Sequence, residues 1–228
     1  EDFGFDQLST ISDPYRETQG FGAEIIYHEN GVPECLRPPL ADSDEIETLQ
    51  AINLPDPEQA TRMRDRIDAL RLYKTLTGDH YSLLGWVEGP AALAGDLRGL
   101  TDFLMDLIDE PEYSALLLDI CADTAIRFAH CQIDNGADTI GIGDAICSQI
   151  SPPIYDELIW PRQKRLMDSI KATGAKTRLH ICGQTEHLWP KLRELPIDIL
   201  DCDHMVDLVG ARTVLPPTVI LGSNLDPV

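Results

Sequence analysis

Lysine is almost missing from this chain: only five of its 18 basic residues are Lys, and Lys plus Arg face 39 Asp plus Glu. The resulting formal charge of −21 at pH 7 repels phosphate backbones and anionic lipid, which argues against nucleic acid and membrane surfaces as partners. No stretch approaches the ~18 uninterrupted apolar residues of a membrane span. The acidic opening, EDFGFDQLSTISDPYRE, has no apolar core, so no secretory leader is expected there. Six cysteines, at 35, 121, 131, 147, 182 and 202, lack the dense spacing of a disulfide scaffold, and reduced thiols in a cytoplasmic protein are the expectation. Gly-x-Gly-x-x-Gly is absent too; Gly141-Ile142-Gly143 has no third glycine, which counts against a dinucleotide-binding sheet.

What remains is an ordinary globular composition, 43% hydrophobic and 25% charged over 228 residues. Residues 1–56 are rich in turn formers and read as a peripheral β-containing lead-in, with Ala23–His28 a strand candidate and Asn30-Gly31 a hairpin signal. Residues 57–228 alternate helix and strand within the same single domain. A helix is predicted over 57–77 with Asp56 as its cap, then strands at 81–87, 138–142, 177–182, 197–202 and 218–221. Helices are predicted over 90–97, 100–108, 111–135, 153–173, 184–194 and 206–214. Short apolar strands joined by helical crossovers mean a parallel α/β sheet, either open and doubly wound or a (β/α)8 barrel. The chain has no initiator Met and stops at LGSNLDPV directly after an apolar run, so it reads as an internal fragment.

In parallel α/β folds chemistry gathers where the strands end. Those ends carry Glu88-Gly89-Pro90, Gly143-Asp144, His180-Ile181-Cys182, Asp201-Cys202-Asp203-His204 and Gly222-Ser223-Asn224-Leu225-Asp226. His180 and Cys182 are the sharpest pair, because strand residues two apart share a face and imidazole with thiolate is a zinc donor set. Two ligands are not a site, and the bland alternative is an unconnected strand-end His and a small buried Cys. Asp144 either faces the cleft or caps the next helix. Glu88 is a candidate to accept a proton or hold a metal. Asp203 and His204 are adjacent and so expected on opposite faces. Residues 222–227 read equally as a turn.

Taken in order, the segments SDPYRETQGFGAEIIYHENGVPE, EGPAALAGDLRG, FLMDLIDEPE, NGADTIGIGDAICSQISPPIYDELIWP, LHICG, DILDCDHMVDLVGAR and LGSNLDP resemble the uroporphyrinogen decarboxylase superfamily. Within it the chain is most similar to the cobalamin-dependent branch typified by methylcobalamin:coenzyme M methyltransferases. The resemblance implies a (β/α)8 TIM barrel, incomplete here, with zinc held by His180, Cys182 and a distant cysteine past Val228. Cys202 substitutes for that cysteine only if it faces inward. It further implies methyl transfer between a corrinoid, free as methylcobalamin or carried on a partner protein, and a thiol or other small acceptor or donor. Asp144, Asp203 and Glu88 would then be catalytic or orienting groups, and Gly89, Asn224 and Asp226 substrate-binding ones. Uroporphyrinogen decarboxylase itself, a metal-independent enzyme of porphyrin biosynthesis, is the main alternative; a non-catalytic subunit that docks a corrinoid protein is another.

Overall fold

The computed structural model describes residues 4–223 and 225–226. A first strand, β1 (Gln7–Ser9), leads through α1 (Arg16–Gly20) into a hairpin of β2 (Glu24–Ile26) and β3 (Glu34–Arg37). Asn30-Gly31 lies in its turn, as that dipeptide predicts. After α2 (Ile46–Gln50) and α3 (Thr61–Thr77) the alternation begins: β4 (Ser82–Glu88), α4 (Pro90–Arg98), α5 (Leu100–Asp109), α6 (Pro111–Asp134) and β5 (Thr139–Gly143). It continues with α7 (Pro152–Ile154), α8 (Trp160–Ala172), β6 (Lys176–Ile181), α9 (Trp189–Leu192), β7 (Ile199–Cys202), α10 (Leu208–Val214) and β8 (Ile220–Ser223). Six strands form one parallel sheet in the order β1-β4-β5-β6-β7-β8, as the incomplete barrel implied by the family resemblance requires.

Three elements differ from their sequence reading. β1, placed in the lead-in as peripheral, pairs with β4 through Gln7, Leu8 and Ser9; three residues between turn formers are too few to show a two-residue period. The helix expected from residue 57 starts at Thr61, because Asp56 closes its own turn, accepting from Glu58 N at its side chain and from Ala60 N at its carbonyl. The helix expected over 184–194 is reduced to a 3₁₀ turn at Glu186–Leu188 and four residues of α9, since Pro190 has no N–H to bond into the preceding turn. A related effect separates α7 from α8: the Tyr155–Ile159 turn is π-helical just before Pro161, which likewise cannot donate.

The sheet is curled. Arg178 of β6 donates to Gln7 Oε1 of β1 at 3.2 Å, although two strands lie between them and a flat sheet would hold those strands ~14 Å apart. Side chains on the convex face, among them Leu83, Val87, Ile140, Ile142, Leu179 and Ile181, are almost fully buried beneath α4, α6 and α8. The concave face reads level by level from the register and becomes polar towards the carboxyl ends. Trp86, Gly141, Arg178, Ile199 and Ile220 stand opposite one another, and the next level up holds Glu88, Gly143, His180, Asp201 and Gly222.

One guanidinium fastens the segment after the hairpin to the barrel. Arg98, at the end of α4, donates to the carbonyls of Leu40, Ala41 and Ser43 and pairs with Asp44 at 2.6 Å and Asp106 at 2.8 Å. Removing it strands the largely buried Asp106 without a cation. Arg98→Met should therefore lower unfolding stability by about 3 kcal/mol, measured by urea denaturation; a change within experimental error would show the segment is held some other way.

Candidate metal centre

His180 and Cys182 sit at the carboxyl end of β6, where the strand stops after Ile181 and the thiol reaches the surface. Their Nε2 and Sγ atoms are 3.1 Å apart. Two ligands of a tetrahedral zinc would be ~3.5 Å apart, so the pair needs to open only slightly to take one. The donor chemistry fits: a half-buried imidazole and an exposed thiol, with the thiol pKa raised by burial and then by the charges of Asp203 and Glu88. Among the described residues no third His, Cys, Asp or Glu completes the set. Cys202 does not: the alternation turns it to the convex face, where it is 3% exposed and burial pushes its thiol up to about 11.

Asp203 grips the same loop from β7. Its carboxylate accepts from the N–H of Gly183, directly after Cys182, at 2.9 Å, and from Met205 N at 3.1 Å, and these bonds hold its pKa below the usual carboxylate value. Gly183 has φ +81°, a conformation that favours glycine, so the turn behind the thiol depends on both residues. His204, expected on the opposite face, instead places Nδ1 2.9 Å from Asp203 Oδ1, because the strand ends at Cys202 and the chain is already turning.

Glu88 stands at the level of His180, one strand removed, and Gly143 between them has no side chain. The buried α1 fixes it: Arg16 donates to Glu88 Oε1 at 2.9 Å, and Glu88 N donates to Glu17 Oε1 at 2.9 Å. Burial pushes the Glu88 carboxyl well above the carboxylate range; Arg16 opposes this, while Glu17 and Asp96 add to it. Asp96 of α4 is pushed up to about 7, first by burial and then by Glu17.

Asp144 takes the capping alternative, for α4 rather than for the stretch that follows it, and Gly89 packs against it. The Asp144 side chain is fully buried and turned away from the mouth, its Oδ1 accepting from Ala92 N in the first turn of α4 and its Oδ2 from Gln163 of α8, both at 2.7 Å. A helix start bears partial positive charge and unpaired N–H groups, and a carboxylate satisfies both. Gly89 admits it, since a Cβ there would overlap the Asp144 carboxyl group. Gly89 is thus a packing residue and Asp144 a cap supplied from the neighbouring strand. Asn224 falls outside the described residues, and Asp226 is exposed past the end of β8.

Sequence reasoning missed Arg16, Glu17, Asp96 and Arg178. Arg178 was within reach of the parity argument, being two residues before His180 on the same face. It pairs with Asp201 at 2.6 Å beneath the rim and lies over the Trp86 ring. Nothing in a five-residue helix marks Arg16 and Glu17 as buried.

Among the described residues no helix is long and apolar enough to cross a membrane. The profile of the uroporphyrinogen decarboxylase (URO-D) family matches residues 1–228. Methylcobamide:CoM methyltransferase MtbA of Methanosarcina acetivorans is 28% identical over 99% of this chain and 66% of its own length. Uroporphyrinogen decarboxylase of Gloeobacter violaceus is 26% identical over 97% of this chain and 64% of its own. Among solved structures, a methyltransferase from Methanosarcina mazei superposes with a TM-score of 0.86 at 21% identity, over 96% of this chain and 64% of that one, a likeness of fold. The chain thus spans just under two thirds of the length of the relatives it matches.

Burial raises the Asp144 pKa to about 6, against the bonds from Gln163 and Ala92 that lower it. A folded-state pKa above the ordinary ~3.9 means the folded chain binds this proton more tightly than the unfolded one. Its contribution to stability is full below the unfolded value and lost as pH rises through about 6. Relative to Asp144→Asn, the natural protein should gain stability as pH falls from 7 towards 4, read from paired urea melts. Parallel curves for the two proteins would refute the assignment.

Proposed function

The chain belongs to the uroporphyrinogen decarboxylase family, and from that footing we propose that it carries the zinc-binding part of an enzyme moving a methyl group between a corrinoid and a small thiol or other acceptor. The observation that carries this reading is the convergence of His180 Nε2 and Cys182 Sγ at the open rim. A metal-independent decarboxylation has no use for that pair.

Zinc, when bound, supplies Lewis acidity that keeps a substrate thiol ionised at neutral pH. His180 and Cys182 would hold it, with further ligands from outside the described residues. Asp203 keeps the Cys182 turn in place through Gly183, so the two donors stay aimed at one point. Glu88 takes the proton that the thiol gives up. Its raised pKa makes it a stronger base than an exposed carboxylate, and Arg16 and Glu17 keep it at the level of His180. The sulfur then attacks the methyl carbon of the methyl-corrinoid, and the carbon–cobalt electron pair stays with cobalt. Whether the corrinoid is free or protein-borne, it is a substrate of this site. Six unpaired cysteines and the absence of a membrane-crossing helix among the described residues support a cytoplasmic setting.

The intact protein should bind about one zinc per chain. Cys182→Ser should lose that metal by elemental analysis, and with it demethylation of methylcobalamin in the presence of a thiol. Full decarboxylation of a porphyrinogen by metal-free protein would replace this reading with the decarboxylase. Tight binding of a corrinoid protein with neither activity would replace it with a docking subunit.

A further inference from the structure

Charge around the His180–Cys182 pair is one-sided. On the β4 side stand Glu88, Glu17 and Asp96 with Arg16 as their counterion, and on the β7 side stand Asp201 and Asp203 with Arg178 beneath. Both guanidinium groups are already engaged. Arg16 serves Glu88 and the Asp13 carbonyl from a position 2% exposed, and Arg178 serves Asp201 and Gln7. These two cations, with the His204 ring 2.9 Å from Asp203, face five carboxylates, of which burial pushes Glu17, Glu88 and Asp96 up while its backbone bonds hold Asp203 down. One oxygen of Asp201, 5% exposed, has no hydrogen-bond donor, whereas the second oxygen of Glu17 lies 3.5 Å from Arg16 Nε.

A small acceptor whose sulfur sits at the metal pair places its other end in the field of these groups, of which Asp203 and Glu88 act on the Cys182 thiol itself. An acidic tail there meets like charge at short range, where such repulsion is strongest. An ammonium or hydroxyl tail meets no such repulsion, and the free Asp201 oxygen is an acceptor for it. Resting on the methyl-transfer reading above, we propose that the acceptor of this protein is a thiol with a neutral or cationic tail, and that the carboxylates flanking the pair reject one bearing a sulfonate or carboxylate. The relatives named for coenzyme M, 2-mercaptoethanesulfonate, would differ from it in this respect.

Three thiols on one two-carbon skeleton provide the test: cysteamine, 2-mercaptoethanol and 2-mercaptoethanesulfonate, carrying tails of opposite, zero and like charge. Each is titrated into the cobalt(II)-substituted intact protein, following the visible thiolate–cobalt band, and assayed for KM with methylcobalamin. Cysteamine should bind most tightly and the sulfonate about tenfold more weakly, a gap that narrows in 1 M salt. Measured above pH 8, where a carboxyl pushed up to about 7 is ionised, Asp96→Asn should narrow it as well, while Asp96→Glu, which keeps the charge, should not. Equal or tighter binding of the sulfonate overturns the charge selection and leaves the methyl-transfer reading standing. If none of the three thiols alters the cobalt band or is methylated, the thiol-acceptor reading itself falls, and this inference with it.

Discussion

Backbone bonds between parallel strands hold Glu88, Gly143, His180 and Asp201 at one height on the concave face, and every chemical statement about this rim depends on that registration. A slip of one residue in β6 would send His180 and Cys182 into the hydrocarbon beneath the helices and bring Leu179 and Ile181 to the mouth. The apolar convex face prevents it. Leu179 and Ile181 are fully packed against the helical layer, so hydrophobic burial on one side of the strand fixes the donors on the other.

Around this level the ends of the strands divide into two kinds of polar group. Asp144, Gln163 and Tyr155 form a buried chain of hydrogen bonds that joins α4, α8 and the π-helical turn, and they position elements. Glu88, His180, Cys182 and Asp203 face the opening and position atoms. Composition does not separate Asp144 from Glu88 or Asp203, since all three are carboxylates at or just past the end of a strand. The neighbour across the sheet distinguishes them: Asp144 lies against the bare first turn of a helix, whereas Glu88 lies beside a glycine.

That difference marks how far the sequence was legible. The strands β4 to β8 and the long helices follow from apolar runs of sufficient length between turn residues, and the His180–Cys182 pairing follows from a period of two. β1 and α1 are too short to carry any period, yet they supply Gln7, Arg16 and Glu17 to the concave face. Asp203 and His204 were separated by an alternation that ends one residue earlier, at Cys202. Pro190 lies inside the helix expected over 184–194, but its effect, a reduction to four residues in α9, emerges only from the hydrogen bonding. Local signals thus recovered the scaffold and one pair of donors, and the groups that tune them come from long-range contacts.

Residues 12–20 contain little more than one turn of helix, and nevertheless a guanidinium and a carboxylate from this segment clasp the side chain and the backbone of Glu88. Substitutions there would be felt at the mouth of the barrel before they were felt in the sheet. For a lineage diversifying its substrates, such a segment is an accessible dial: it resets the acidity of one rim carboxyl while the inherited strands and their register stay as they are.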